Sequence, residues 1–163
     1  REKTMKTLLL YYSNNEAIRE LCEESSRENM IDVAEIKSRY YRSRIWCATV
    51  GAYKAVSGAG DKIEDLHINM DEYDTIILAS PVWRHNPAPA VNEFLHRNNL
   101  TGREVSCLII HSGNSAGKAP DVLRKRIKLA GGLCRGVVDI PVKELKERNC
   151  DVCSYAGLKT QTA

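Results

Sequence analysis

The chain has 163 residues, enough for one domain around one buried core. Its 43% hydrophobic and 28% charged content is that of an ordinary soluble globule. Its net charge of +3, from 24 basic against 21 acidic residues, is too balanced to imply nucleic-acid binding by itself.

No apolar run approaches the length that spans a membrane. The N-terminal apolar stretch is too short for a secretory signal and lacks a small-residue cleavage site. The six cysteines therefore read as reduced thiols of a cytoplasmic protein, and the sequon Asn99-Leu100-Thr101 carries no weight. The expected organisation is a single domain over 1–163, with 1–5 a disordered leader.

Lys6–Tyr12 carries the continuous apolar run of a strand buried on both faces. Glu16–Glu28 follows as a helix with Ile18, Leu21 and Cys22 on one face. Met30–Ile36 alternates and reads as a second strand. Ser38–Arg44 is a basic, aromatic connection, and Ile45–Val56 a second helix closed by Ser57-Gly58-Ala59-Gly60. Tyr73–Ser80 is another buried strand, Pro81–Asn86 a loop, and Pro87–Arg97 a helix with prolines in its first turn, where a missing N–H costs little. Val105–His111 is a strand followed by a loop through Gly117. Pro120–Ala130 is a basic helix that stops at Gly131-Gly132. Leu133–Val142 is the last strand, and 143–163 a weakly patterned tail with one short helix at most.

Strands in strict alternation with helices predict an α/β fold: a three-layer, doubly wound, five-stranded parallel sheet. Ligands of such sheets bind outside the carboxyl ends of the strands, near the switch in strand order. The loops Ser13–Asn15, Ser80–Asn86 and His111–Gly117 all follow strand ends.

From about Lys6 to about Val142 the chain resembles the flavodoxin family in its broad sense, including related FMN-dependent quinone reductases. The resemblance rests on Leu8-Leu9-Leu10-Tyr11-Tyr12-Ser13, on Tyr73 through Trp83, on Asn86 through Leu95, on Leu100-Thr101-Gly102-Arg103 and on His111-Ser112-Gly113-Asn114. The most specific block is a buried strand running into Ser80-Pro81-Val82-Trp83, then Asn86-Pro87-Ala88-Pro89-Ala90 and a helix.

The resemblance implies a flavodoxin-like fold and an FMN-binding electron-transfer protein or oxidoreductase. Its partner would be a redox protein or a small-molecule electron acceptor, and its relatives include monomers and dimers. A first loop of Ser13, Asn14 and Asn15 would then take the phosphate. A second loop of Pro81, Val82, Trp83, Arg84, His85 and Asn86 would present an aromatic to the ring, and Ser112, Gly113 and Asn114 would touch the ring edge.

The first loop departs from the family pattern Ser-x-Thr-Gly-x-Thr. About three residues are missing, including the glycine and both threonines, and Glu16 puts a negative charge where a phosphate dianion would sit. Asn15 reads equally well as a plain helix N-cap. Three readings stay open: an FMN redox protein, a scaffold that has lost FMN and serves as an accessory subunit of a redox system, and a pocket for a flavin without phosphate or another planar ligand. Arg84 could supply charge to a phosphate, and Trp83 could instead anchor a partner.

Other motifs weigh less. Cys150-x-x-Cys153 lies in the tail, away from the strand–helix junction of a redox-active pair. Cys22, Cys47, Cys107 and Cys134 sit in apolar patterns and read as core. Arg39–Arg44 and Arg124–Lys128 read as solvated surface, not as a nucleic-acid site. His111-Ser112 lacks the elbow and carboxylate of a hydrolase.

Overall fold

The computed structural model describes residues 5–39, 62–147 and 151–155. Five parallel strands form the sheet, and all but the second in chain order are followed by an α-helix among the described residues. They are β1 (Thr7–Tyr11), β2 (Asp32–Glu35), β3 (Thr75–Trp83), β5 (Glu104–His111) and β6 (Leu133–Pro141), in the order β2-β1-β3-β5-β6. A two-residue strand, β4 (Asn86–Pro87), folds back antiparallel on β3. The helices are α1 (Glu16–Asn29), α2 (Pro89–Arg97), α3 (Ala119–Leu129), α4 (Val142–Glu147) and α5 (Val152–Tyr155). The expected doubly wound sheet is present.

The period-2 geometry of the strands divides the apolar side chains between two cores. Leu8, Leu10, Ile76, Leu78, Val105, Cys107 and Ile109 face one layer, built by Val91 and Phe94 of α2 and Leu123 and Ile127 of α3. Leu9, Tyr11, Ile77, Ala79, Leu108 and Ile110 face the other, built by Ile18 and Cys22 of α1 and Val152 and Cys153 of α5. Sandwiching explains why these strands read as unbroken apolar runs. Each fully buried Leu or Ile contributes roughly 1.5–3 kcal/mol.

Several boundaries differ from the sequence reading. The strand expected to stop at Ser80 continues to Trp83, so Pro81, Val82 and Trp83 are strand and not loop. The register explains how: β1 accompanies β3 only to Ala79, while β5 continues to Pro81. At Ser80 and Pro81 β3 is paired with β5 and no longer with β1, and a residue without an N–H is tolerated. The following helix starts at Pro89 because Asn86 and Pro87 pair back on Trp83 and Val82. Between α1 and β2, Met30 caps the helix with a left-handed φ of 51°.

Two stretches of the tail, 143–147 and 151–155, are among the described residues. They carry α4 and α5, and α5 is latched to α1: Val152 N–H donates to Ser25 Oγ (3.0 Å) and Asn29 Nδ2 to Asp151 Oδ1 (2.8 Å). Cys134, expected in the core, is only half-buried.

β6 ends the sheet and carries a bulge: Val105 pairs with Cys134 and Ser106 with Gly136, which leaves Arg135 unmatched. The expected helix Ile45–Val56, the thiols Cys47 and Cys150 and most of Arg39–Arg44 lie outside the described residues. Among the described residues no helix is long and apolar enough to cross a membrane.

Candidate functional site

β1 and β3 lie side by side, yet β1 leads on to β2 at one flank and β3 leads on to β5 at the other. In doubly wound sheets such a reversal marks where ligands bind, outside the carboxyl ends of the strands. The ends of β1, β3 and β5 release the three loops singled out in the sequence, so all three reach the same edge.

In the first loop Ser13 and Asn15 bond each other and the first turn of α1. Ser13 Oγ donates to the Asn15 carbonyl (2.6 Å) and accepts the Asn15 N–H (2.9 Å). Asn15 Oδ1 accepts the Ala17 N–H (3.0 Å), which makes Asn15 the N-cap of α1. The Ile18 and Arg19 N–H groups both bond the Asn15 carbonyl. Behind the loop, the Arg19 guanidinium joins two carboxylates, Glu16 at 3.0 Å and Glu35 at 2.9 Å. The Glu35 bond holds Arg19 still further above its ordinary value. Two acids and one base leave this corner with a net negative charge.

The second loop is a two-residue hairpin turn. Arg84 and His85 both adopt left-handed backbone, with φ of 47° and 63°, as a type I′ turn requires. Asn86 Nδ2 donates to the Arg84 carbonyl (2.9 Å). At the base, Ser80 Oγ donates to the Pro81 carbonyl (2.9 Å) and accepts the Ala88 N–H (3.2 Å). Arg84 and His85 are exposed, whereas Asn86 is buried.

Trp83, expected to be presented to a ligand, packs inward at the end of β3. Trp83 is 8% exposed and belongs to the core. Its ring meets Tyr12 edge to face, with centroids 5.8 Å apart and planes at 72°. That aromatic pairing holds it inward.

In the third loop Ser112, Gly113 and Asn114 are exposed above the buried His111. A carbonyl only accepts, so His111 Nδ1 carries the proton that it donates to the Gly113 carbonyl (2.9 Å). Its Nε2 lies 3.7 Å from Asp139 Oδ2 on β6.

The second and third loops touch. A Cβ on Gly117, where φ is +59°, would lie 2.4 Å from His85 Nδ1 and 2.5 Å from His85 Cβ. Only a glycine leaves room for that ring and accepts that backbone without strain.

The edge is thus framed by two cationic or ionisable side chains on the hairpin, the exposed third loop and the acidic corner of the first. Sequence reasoning missed Tyr12 as the partner of Trp83, His111 as the anchor of the third loop, and Gly117 as the seat of His85. A glycine late in a loop was the only hint of the last. Cys22, Cys107 and Cys153 are buried, and no group of three or more metal-binding side chains occurs among the described residues.

No protein-family model matches the sequence, and no curated protein matches it. Solved structures do match in three dimensions. A flavoprotein from Lactobacillus acidophilus NCFM, crystallised in complex with FMN, superposes with a TM-score of 0.69 at 23% identity over 83% of this chain and 93% of that one. The NMR structure of the apo-form of the flavoprotein from the same organism gives 0.65 at 20% identity over 86% and 95%. A WrbA-like flavodoxin from Agrobacterium tumefaciens gives 0.60 at 13% identity over 95% and 97%.

Proposed function

We propose, for a chain that has the flavodoxin-like fold, that it binds a flavin at the carboxyl edge of its sheet and works as an electron-transfer protein or oxidoreductase. FMN is the flavin the likeness points to, because one structural neighbour is an FMN complex. The carrying observation is the contact of the second and third loops at the carboxyl edge, beside the topological switch, with His85 seated on Gly117.

The ring side of this edge suits a flavin. The strained hairpin holds Arg84 and His85 out of the core, and His111 fixes the backbone beneath Ser112, Gly113 and Asn114. The phosphate side does not suit a dianion, since the polar groups of Ser13 and Asn15 are engaged with one another and Glu16 and Glu35 outnumber Arg19.

A bound flavin supplies the redox chemistry. The chain's own residues orient it and set the charge around it. Arg84 beside the ring would favour an anionic form. The partner is a redox protein or a small-molecule acceptor, and the reading places the protein in the cytoplasm.

The experiment is the visible spectrum of the purified protein together with titration by FMN and by riboflavin. Flavin absorbance, or saturable quenching of flavin fluorescence at micromolar concentrations, is expected. A colourless protein that binds neither flavin at tens of micromolar overturns the reading. The closed first loop and the inward Trp83 favour a second reading: a scaffold without cofactor that serves as an accessory subunit. That same negative result would support it.

A further inference from the structure

We infer that this site reads a flavin by its ring and leaves the phosphate unread, so that riboflavin and FMN are equivalent ligands. The inference rests on the flavin reading above and narrows its ligand class.

Consider what a phosphate would meet. A dianion is held by several converging N–H and O–H donors at a helix N-terminus. Here the Ser13 hydroxyl proton goes to the Asn15 carbonyl, the Asn15 N–H to Ser13 Oγ, and the Ala17 N–H to Asn15 Oδ1. The next two amides, of Ile18 and Arg19, are spent on the Asn15 carbonyl. An anion that drew on these groups would break the Ser13–Asn15 clasp and the cap together.

Charge points the same way. Arg19 is clamped between Glu16 and Glu35, and the trio carries one net negative charge. Tyr11, beneath the same corner, has its hydroxyl pushed above the usual range by burial and then by Glu35 and Glu23. The Glu16–Arg19–Glu35 trio opposes an anion, while the cationic Arg84 stands at the hairpin, where a ring would lie. A charge-assisted bond to a dianion is worth about tenfold or more in affinity, and this corner offers none already formed.

The test is fluorescence titration of the full chain with riboflavin and with FMN, repeated on Glu16→Gln. Glu16 is exposed, and its loss costs an exposed ion pair of small value. The two flavins are expected to bind within about threefold of each other in the natural chain. Glu16→Gln should tighten FMN several-fold and leave riboflavin unchanged. FMN binding about tenfold tighter than riboflavin, or no gain for FMN in Glu16→Gln, overturns the inference and leaves the flavin reading standing. Failure of both flavins to bind overturns both.

Discussion

The first loop and the hairpin share one edge of the sheet but hold their shape by different means. Ser13, Asn15 and Ala17 bond one another locally, with Asn15 as cap. The hairpin places Arg and His in left-handed backbone and leans on a glycine more than thirty positions downstream. One region is at rest; the other holds strain in place through a distant contact. Strain that the surroundings over-determine tends to gather at working sites. The hairpin and third loop are therefore the better place to seek function, and the first loop the better place to seek stability.

The largest test of this contrast is Gly117→Val. It sets a branched side chain where His85 lies and forces the wrong backbone region, so it should cost about 2–3 kcal/mol in urea unfolding and weaken flavin binding. Adding His85→Gly should restore part of the loss. A double-mutant cycle should return a coupling on the order of 1 kcal/mol for that pair. Asn15→Ala and His85→Gly, by contrast, should be additive.

Next, replacing Arg84-His85 by Asn-Gly supplies the residues that a type I′ turn prefers and should stabilise the fold by about 1–2 kcal/mol. A stability gain paired with weaker flavin binding would sharpen the contrast, and no gain would break it. Asn15→Ala should cost about 1 kcal/mol through the lost cap.

The smallest effect at neutral pH lies on the α1 side. Burial pushes the Cys22 thiol from 9.0 up to about 12 and that of Cys153 also up to about 12. Between those values the folded state keeps protons that the unfolded state releases, so stability falls as pH rises. Below 9.0 the contribution is whole. Unfolding curves should be flat in this respect from neutral pH to about 9 and decline above it. Cys22→Ala should make that decline shallower.

The strands were legible because double burial leaves unbroken apolar runs such as Ile76–Ala79, and the fold rule then placed three loops at one edge without any side-chain information. The hairpin was not legible. A type I′ turn normally announces itself with Asn or Gly, and Arg84-His85 carries no such signal. The inward packing of Trp83 was not legible because composition says nothing of a partner for its ring, and Tyr12 supplies one. The latch of Val152 and Cys153 onto α1 was hidden by length, since a one-turn helix shows no periodicity. Asn15 was readable as a cap because capping chemistry is local.

The unmatched Arg135 bears on how the molecule behaves in crowded solution. An outermost strand offers its amides as a template on which a foreign chain could grow. Here the template is broken into two stretches offset by one residue, with charged Arg135 and Asp139 along it, so an incoming strand could zip onto one stretch only before losing step. Deleting that single residue would heal the offset and turn a guarded rim into a nucleus for fibril growth.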